Sequence, residues 1–183
     1  MTIHVYVWDA RPGAWGHASM WLAFGPRVRQ RYVSWWPQDP GRVPLAACGP
    51  ACPRPPSYDW RMEGGPPSRA FRVPNVRGRI DVAAMASAWD TWTRQDCYSP
   101  LDRNCCTTVA RLLREAGGAA ALCGYSPVLW WEPDALTRYL RALHAVEPLQ
   151  ELYAMRIVQP SDLVPRAPAS VYFSHMESRA VSG

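Results

Sequence analysis

Paired cysteines open an apolar segment in N104-C105-C106-T107-T108-V109-A110-R111-L112-L113, and a histidine opens another in G16-H17-A18-S19-M20-W21-L22. A thiol is a poor nucleophile at neutral pH unless its pKa falls, and the unpaired N–H groups and macrodipole at a helix start lower it. With Asn104 as N-cap, Cys105 and Cys106 are the first two helical residues. At about 100° per residue, Val109, Leu112, Leu113 and Ala116 form the buried face. Cys105 lies about 30° from its centre and Cys106 about 70°. Cys105 is therefore expected to point at the sheet on which the helix packs. A thiolate needs an imidazole partner, and a third polar group fixes that ring's tautomer. Of the four histidines, His17 is the candidate, because His4, His144 and His175 fall in a first strand, a helix and a tail. The competing reading is that both cysteines are small buried hydrophobes, the commonest fate of a free thiol, and that His17 is a satisfied core or surface residue.

Elements able to position these groups follow from periodicity. Residues 2–8, A18 to F24 and R31 to W36 read as three strands of an antiparallel meander. On the second, His17 shares a face with Ser19, Trp21 and Ala23. Gly16 removes a side chain where another backbone or a substrate must come close. Residues 37–67, rich in Pro, Gly and Arg, read as a long loop or lid. A strand over R69–V73 follows, then a helix capped by Asp81 with A84, M85, A88, W89 and W92 on one face. The helix from Asn104 stops at Gly117-Gly118, a third helix follows Pro133, and residues 151–158 read as a closing strand. The expected fold class is α+β, an antiparallel sheet with helices packed on one side. Residues 1–158 form a single domain and 159–183 a tail.

Composition narrows the function classes. The chain has 183 residues and a formal charge of +5. Its cationic residues are all Arg, spread from Arg11 to Arg179 without a dense run, so no nucleic-acid partner is expected. The absence of lysine reads first as codon bias. It also suits a protein that works in a foreign cell or modifies lysines. The N-terminus is not a secretory signal, and no run approaches the roughly 18 apolar residues of a membrane span. Synthesis in the cytosol and export by a route without a cleaved signal are expected. The six cysteines are then expected as reduced thiols. C48-G49-P50-A51-C52 has a spacing for zinc but lacks a second ligand pair, and a reversible Cys48–Cys52 disulfide is a minority reading.

G16-H17-A18-S19, Y32-V33-S34-W35-W36-P37 and N104-C105 before an apolar helix together resemble the circularly permuted papain-like thiol hydrolases related to NlpC-type peptidases. In that family the histidine strand precedes the cysteine helix. More narrowly, the pattern is similar to bacterial effector domains whose relatives include Rho-inactivating lysine fatty-acyltransferases and, further off, lecithin:retinol acyltransferase. The resemblance spans residues 14–115 with gaps. It implies Cys105 as nucleophile and His17 as base. Asp59, a carboxylate between histidine and cysteine as in the acyltransferase branch, is the third member by the same likeness, with Ser34 and Glu63 as rivals. Cys106, where a Ser or Ala would be less ambiguous, keeps a swapped assignment open. The implied activity is hydrolysis or acyl transfer at an amide or thioester, without a cofactor, and with acyl-CoA as co-substrate if the acyl group is transferred. A protein or peptide substrate and an immunity protein or chaperone are the implied partners. A peptidoglycan amidase and a non-catalytic binding module of the same fold are the rival functions. Trp21, Trp35 and Trp36 would line a groove for an acyl chain or peptide.

Overall fold

The computed structural model describes residues 2–23, 30–42, 48–73, 78–95, 97–127 and 129–146. Phe24, the strand expected over 151–158 and the tail at 159–183 lie outside them. Strands β1 (Thr2–Trp8), β2 (His17–Ala23), β3 (Arg31–Pro37), β4 (Ala51–Pro53) and β5 (Arg69–Val73) form one antiparallel sheet in the order β4-β3-β2-β1-β5. Helices α1 (Pro56–Met62), α2 (Val82–Trp92), α3 (Cys105–Arg111) and α4 (Pro133–Ala145) complete an α+β fold. Among the described residues no helix is long and apolar enough to cross a membrane.

The meander forms as its alternation predicts, with Val5 opposite Met20 and Ser19 opposite Ser34. β5 pairs with the other side of β1, Val5 opposite Phe71, so β1 has a neighbour on both edges. Because side chains alternate, Val5, Val7, Ala18, Met20, Leu22, Val33 and Trp35 share one face. They are buried with Met85 and Trp89 of α2, Val109 of α3, and Leu136 and Leu140 of α4. Burying each such side chain contributes roughly 1.5–3 kcal/mol, and this layer supports α3 against β2.

Two expectations need correction. Residues 37–67 are not one long loop, since they hold a 3-10 turn at Pro40–Arg42, β4 and α1. Proline misled the reading. Pro56 is the first residue of α1, where a fixed φ suits the helix and no N–H is needed, and Pro53 ends a short edge strand. Nor do the helices all lie on one side of the sheet. Asp59 of α1 bonds to Tyr32, Ser34 and Trp36, the face of β3 opposite Val33 and Trp35. A helix of seven residues is marginal by itself, so this buried carboxylate is what anchors α1 to the sheet.

Caps set the other helix starts. The Asp81 carboxylate accepts from the Ala84 N–H at 2.8 Å, and the Asn104 side chain accepts from the Thr107 N–H at 2.8 Å. Each such cap is worth about 1 kcal/mol. After Arg111 the third helix continues as a π-helical turn, Leu112–Ala116, and Gly118 leaves it at φ 74°.

Candidate active site

His17 is placed by the glycine before it. Gly16 has φ +77°, and a Cβ there would come within 2.5 Å of the Trp8 carbonyl oxygen and 2.8 Å of the Ala10 nitrogen. Only glycine lets the chain enter β2 this close to the end of β1. His17 is 1% exposed, its ring stacked on Trp36 with centroids 4.3 Å apart and tilted against Trp8 at 5.6 Å. Its Nε2 lies 3.3 Å from Asp59 Oδ2 and 3.2 Å from Ser34 Oγ. Nε2–H is therefore the donor to this side, which leaves Nδ1 for the sulfur.

Asp59 is fully buried. Its carboxylate accepts from Tyr32 Oη at 2.6 Å, Ser34 Oγ at 2.7 Å and Trp36 Nε1 at 2.7 Å. Ser19 Oγ lies 2.7 Å from Tyr32 Oη. Since that tyrosine donates to Asp59, the serine donates to it. Burial alone would raise the Asp59 pKa, yet hydrogen bonds from His17, Tyr32 and Ser34 hold it below the usual carboxylate value. Of the three sequence candidates for the third position, Asp59 and Ser34 meet His17 together. Glu63 caps the C-terminal end of α1, 5% exposed, and its own carboxyl is pushed up by burial.

Cys105 reaches the histidine from the helical layer. Asn104 fixes the helix start by donating to the Pro100 carbonyl at 2.7 Å and the Trp131 carbonyl at 2.9 Å. The Cys105 sulfur receives the Cys106 S–H, the His17 ring and the backbone N–H of Ala18. The Cys106 donor is the largest influence, and with His17⁺ it outweighs burial, so the Cys105 thiol is held well below its ordinary range. Burial and the adjacent anion drive Cys106 the other way. Both directions favour the negative charge on Cys105 and the proton on Cys106. Burial would lower the His17 pKa, but the Cys105 charge and Asp59 raise it to about 10. Together these shifts favour the thiolate–imidazolium form of the pair.

Both cysteines are buried although the helical step set only Cys105 toward the sheet, because Cys105 to Ala110 are covered on every side. Cys106→Ala removes the S–H donor and is expected to raise the pH midpoint of Cys105 alkylation by about one unit. Cys106→Ser keeps a donor and should leave it near wild type; peptide-resolved mass spectrometry of the alkylated chain reads both.

Other groups at the site differ in how far the sequence signals them. The Tyr98 hydroxyl accepts from the Cys105 backbone N–H and donates to its sulfur, and burial followed by the cysteine charge pushes its pKa up. Tyr98 lies in the turn before α3, where neither spacing nor periodicity singles it out. Tyr32 and Trp36 share a strand face with Ser34, so alternation from Ser34 points to them. Trp36 packs on His17, whereas Trp35 faces the core, edge-on to Trp89, and lines no groove. A cleft of about 300 Å³ is lined by Trp8, Ala10, Arg11, Glu63, Gly65 and Ser68; of these, Trp8 packs against His17.

The expectation of six reduced thiols is overturned. Cys48 and Cys97 form a disulfide with Cα atoms 5.3 Å apart, a separation that suits a bridge. Cys52, Cys105, Cys106 and Cys123 are free, so the Cys48–Cys52 pair is not made. A partner 49 residues away cannot be read from spacing.

No family model and no solved structure matches the chain. It is similar to the multifunctional-autoprocessing repeats-in-toxin of Vibrio vulnificus, 36% identical over 87 residues. That match covers 43% of this chain and 2% of the toxin.

Proposed function

We propose that the chain is a cysteine-dependent hydrolase or acyltransferase of permuted papain-like design, working on an amide or thioester of a protein or peptide, and that it acts as a bacterial toxin. The observation that carries this reading is that the buried side chains of Cys105 and His17 interact while the far ring nitrogen is held by Asp59, an arrangement that favours a thiolate–imidazolium pair. Partial similarity to a multifunctional toxin supports the toxin context.

The chemistry follows from the proton positions. Cys105 attacks the carbonyl carbon as an anion that needs no base to form. The tetrahedral oxyanion is received by the Cys105 N–H and the Tyr98 O–H, which turn to it from the Tyr98 oxygen and from the sulfur. His17 gives its Nδ1 proton to the departing amine or thiolate, leaving a thioester on Cys105. The neutral imidazole then takes a proton from water or an acceptor amine, whose attack releases the acyl group and restores the thiolate. Asp59 keeps the ring oriented and its charge compensated throughout. No cofactor enters these steps, and acyl-CoA is the donor if the second nucleophile is an amine.

The test is to trap the intermediate. Incubation with acyl-CoA or an activated ester should place one acyl group on Cys105, removable by hydroxylamine and absent from Cys105→Ser. An acyl group found on Cys106, or on neither cysteine, refutes the reading. Release of soluble fragments from purified peptidoglycan would instead favour the amidase.

A further inference from the structure

The geometry points to the Cys48–Cys97 disulfide as a redox switch on Cys105, worked through Tyr98. The inference rests on the reading of Cys105 as nucleophile.

Three kinds of contact define the turn that carries Tyr98. At its start Cys97 is bonded covalently to Cys48, and its carbonyl accepts from Trp35 Nε1 at 3.3 Å. Next, Tyr98 and Gly49 exchange both backbone hydrogen bonds, 2.9 and 2.7 Å, as an isolated bridge. At its end Asn104 is tied to Pro100 and Trp131. Between these anchors the Tyr98 ring packs against the core that holds Cys105, and its hydroxyl interacts with that cysteine's side chain and backbone. The Asn104 anchor belongs to the helix and survives any change at residue 97. The Tyr98 anchor does not, because a single bridge of two hydrogen bonds is far short of a stable ladder. Beyond the packing of its ring against the core and the Trp35 hydrogen bond, what holds the hydroxyl in place is the covalent link one residue before it.

Reduction would proceed by thiol exchange. The thiolate of a low-molecular-weight monothiol attacks one sulfur, giving a mixed disulfide and one free cysteine thiolate. A second monothiol displaces the other cysteine and leaves as the oxidised dimer, while each freed sulfur takes a proton. The turn then loses its tether, and Cys105 loses a donor to its anion and a partner at the oxyanion position. Disulfides persist outside the cell and are reduced in a cytosol. The site is thus at full strength where the disulfide persists and subdued where it is reduced.

The experiment measures iodoacetamide labelling of the Cys105 peptide against pH, with the state of the 48–97 pair checked by intact mass. Wild type treated with reduced glutathione should show a midpoint about one pH unit above the oxidised protein. The Cys48→Ser/Cys97→Ser protein should start at the raised midpoint and ignore glutathione, and Tyr98→Phe should do the same. Equal midpoints for oxidised and reduced wild type overturn the proposal, as does a Tyr98→Phe protein that still responds. If the serine variants do not fold, the wild-type comparison decides alone. Turnover retained in Cys105→Ala would sink the nucleophile reading, a different failure from an absent glutathione response.

Discussion

Cys105→Ala is expected to lower turnover by about 10⁴-fold or more, and His17→Ala to do the same, because thiolate and imidazolium act as one unit. The double variant should be no worse than either single one. Cys105→Ala should move the melting temperature by no more than a few degrees, since alanine fills most of the site and the helix keeps its Asn104 cap, whereas His17→Ala empties a buried, stacked position beside Asp59 and should melt lower. Kinetics on whichever acyl donor labels Cys105, together with a melting curve for each variant, checks both halves. Activity within tenfold of wild type in Cys105→Ala would end the proposal. The pair also sets a pH window. The rising limb follows formation of the Cys105 anion, well below the ordinary thiol value, and the falling limb follows loss of the His17 proton at about 10.

Asp59→Ala should produce the largest stability loss at the site. The carboxylate gathers Tyr32, Ser34, Trp36 and His17, all buried or nearly so. Removing it leaves their donors unmatched in a place closed to water, a cost of about 3–5 kcal/mol. Asp59→Asn separates charge from shape. It keeps an acceptor but withdraws the anion that helps raise His17, so the alkaline limb should move to lower pH and turnover fall about a hundredfold. The linkage has a definite sign. His17 titrates at about 10 in the fold against 6.5 ordinarily, so its contribution to stability is complete below 6.5 and lost as pH rises to about 10. Asp59 titrates below its ordinary 3.8, so its contribution is present above 3.8 and lost as pH falls through its lower folded value. Urea denaturation of wild type and Asp59→Asn from pH 5 to 10 measures the difference. An Asp59→Asn protein with an unmoved alkaline limb would remove Asp59 from the ion pair's electrostatics.

Much of what surrounds the site depends on neighbours in the chain and was legible from residue order. Alternation gave the β1–β2–β3 meander. Side-chain acceptors at Asp81 and Asn104 marked two helix starts. The 100° helical step turned Cys105 rather than Cys106 toward His17. Gly16 marked a close approach that the Trp8 carbonyl supplies. These signals are local because hydrogen-bond periodicity and capping are decided within a few residues.

Tertiary structure alone decided the remainder. The resemblance favoured Asp59 over Ser34 and Glu63, but only the packing of α1 on the far face of β3 puts Asp59 beside the ring, with Ser34 next to it. Cys97 is bonded to Cys48 rather than remaining a thiol, with Tyr98 next to it in the same turn and bridged to Gly49. Such pairings join residues tens of positions apart, and which surfaces meet is set by the packing of whole layers, a property that no short window of residues contains.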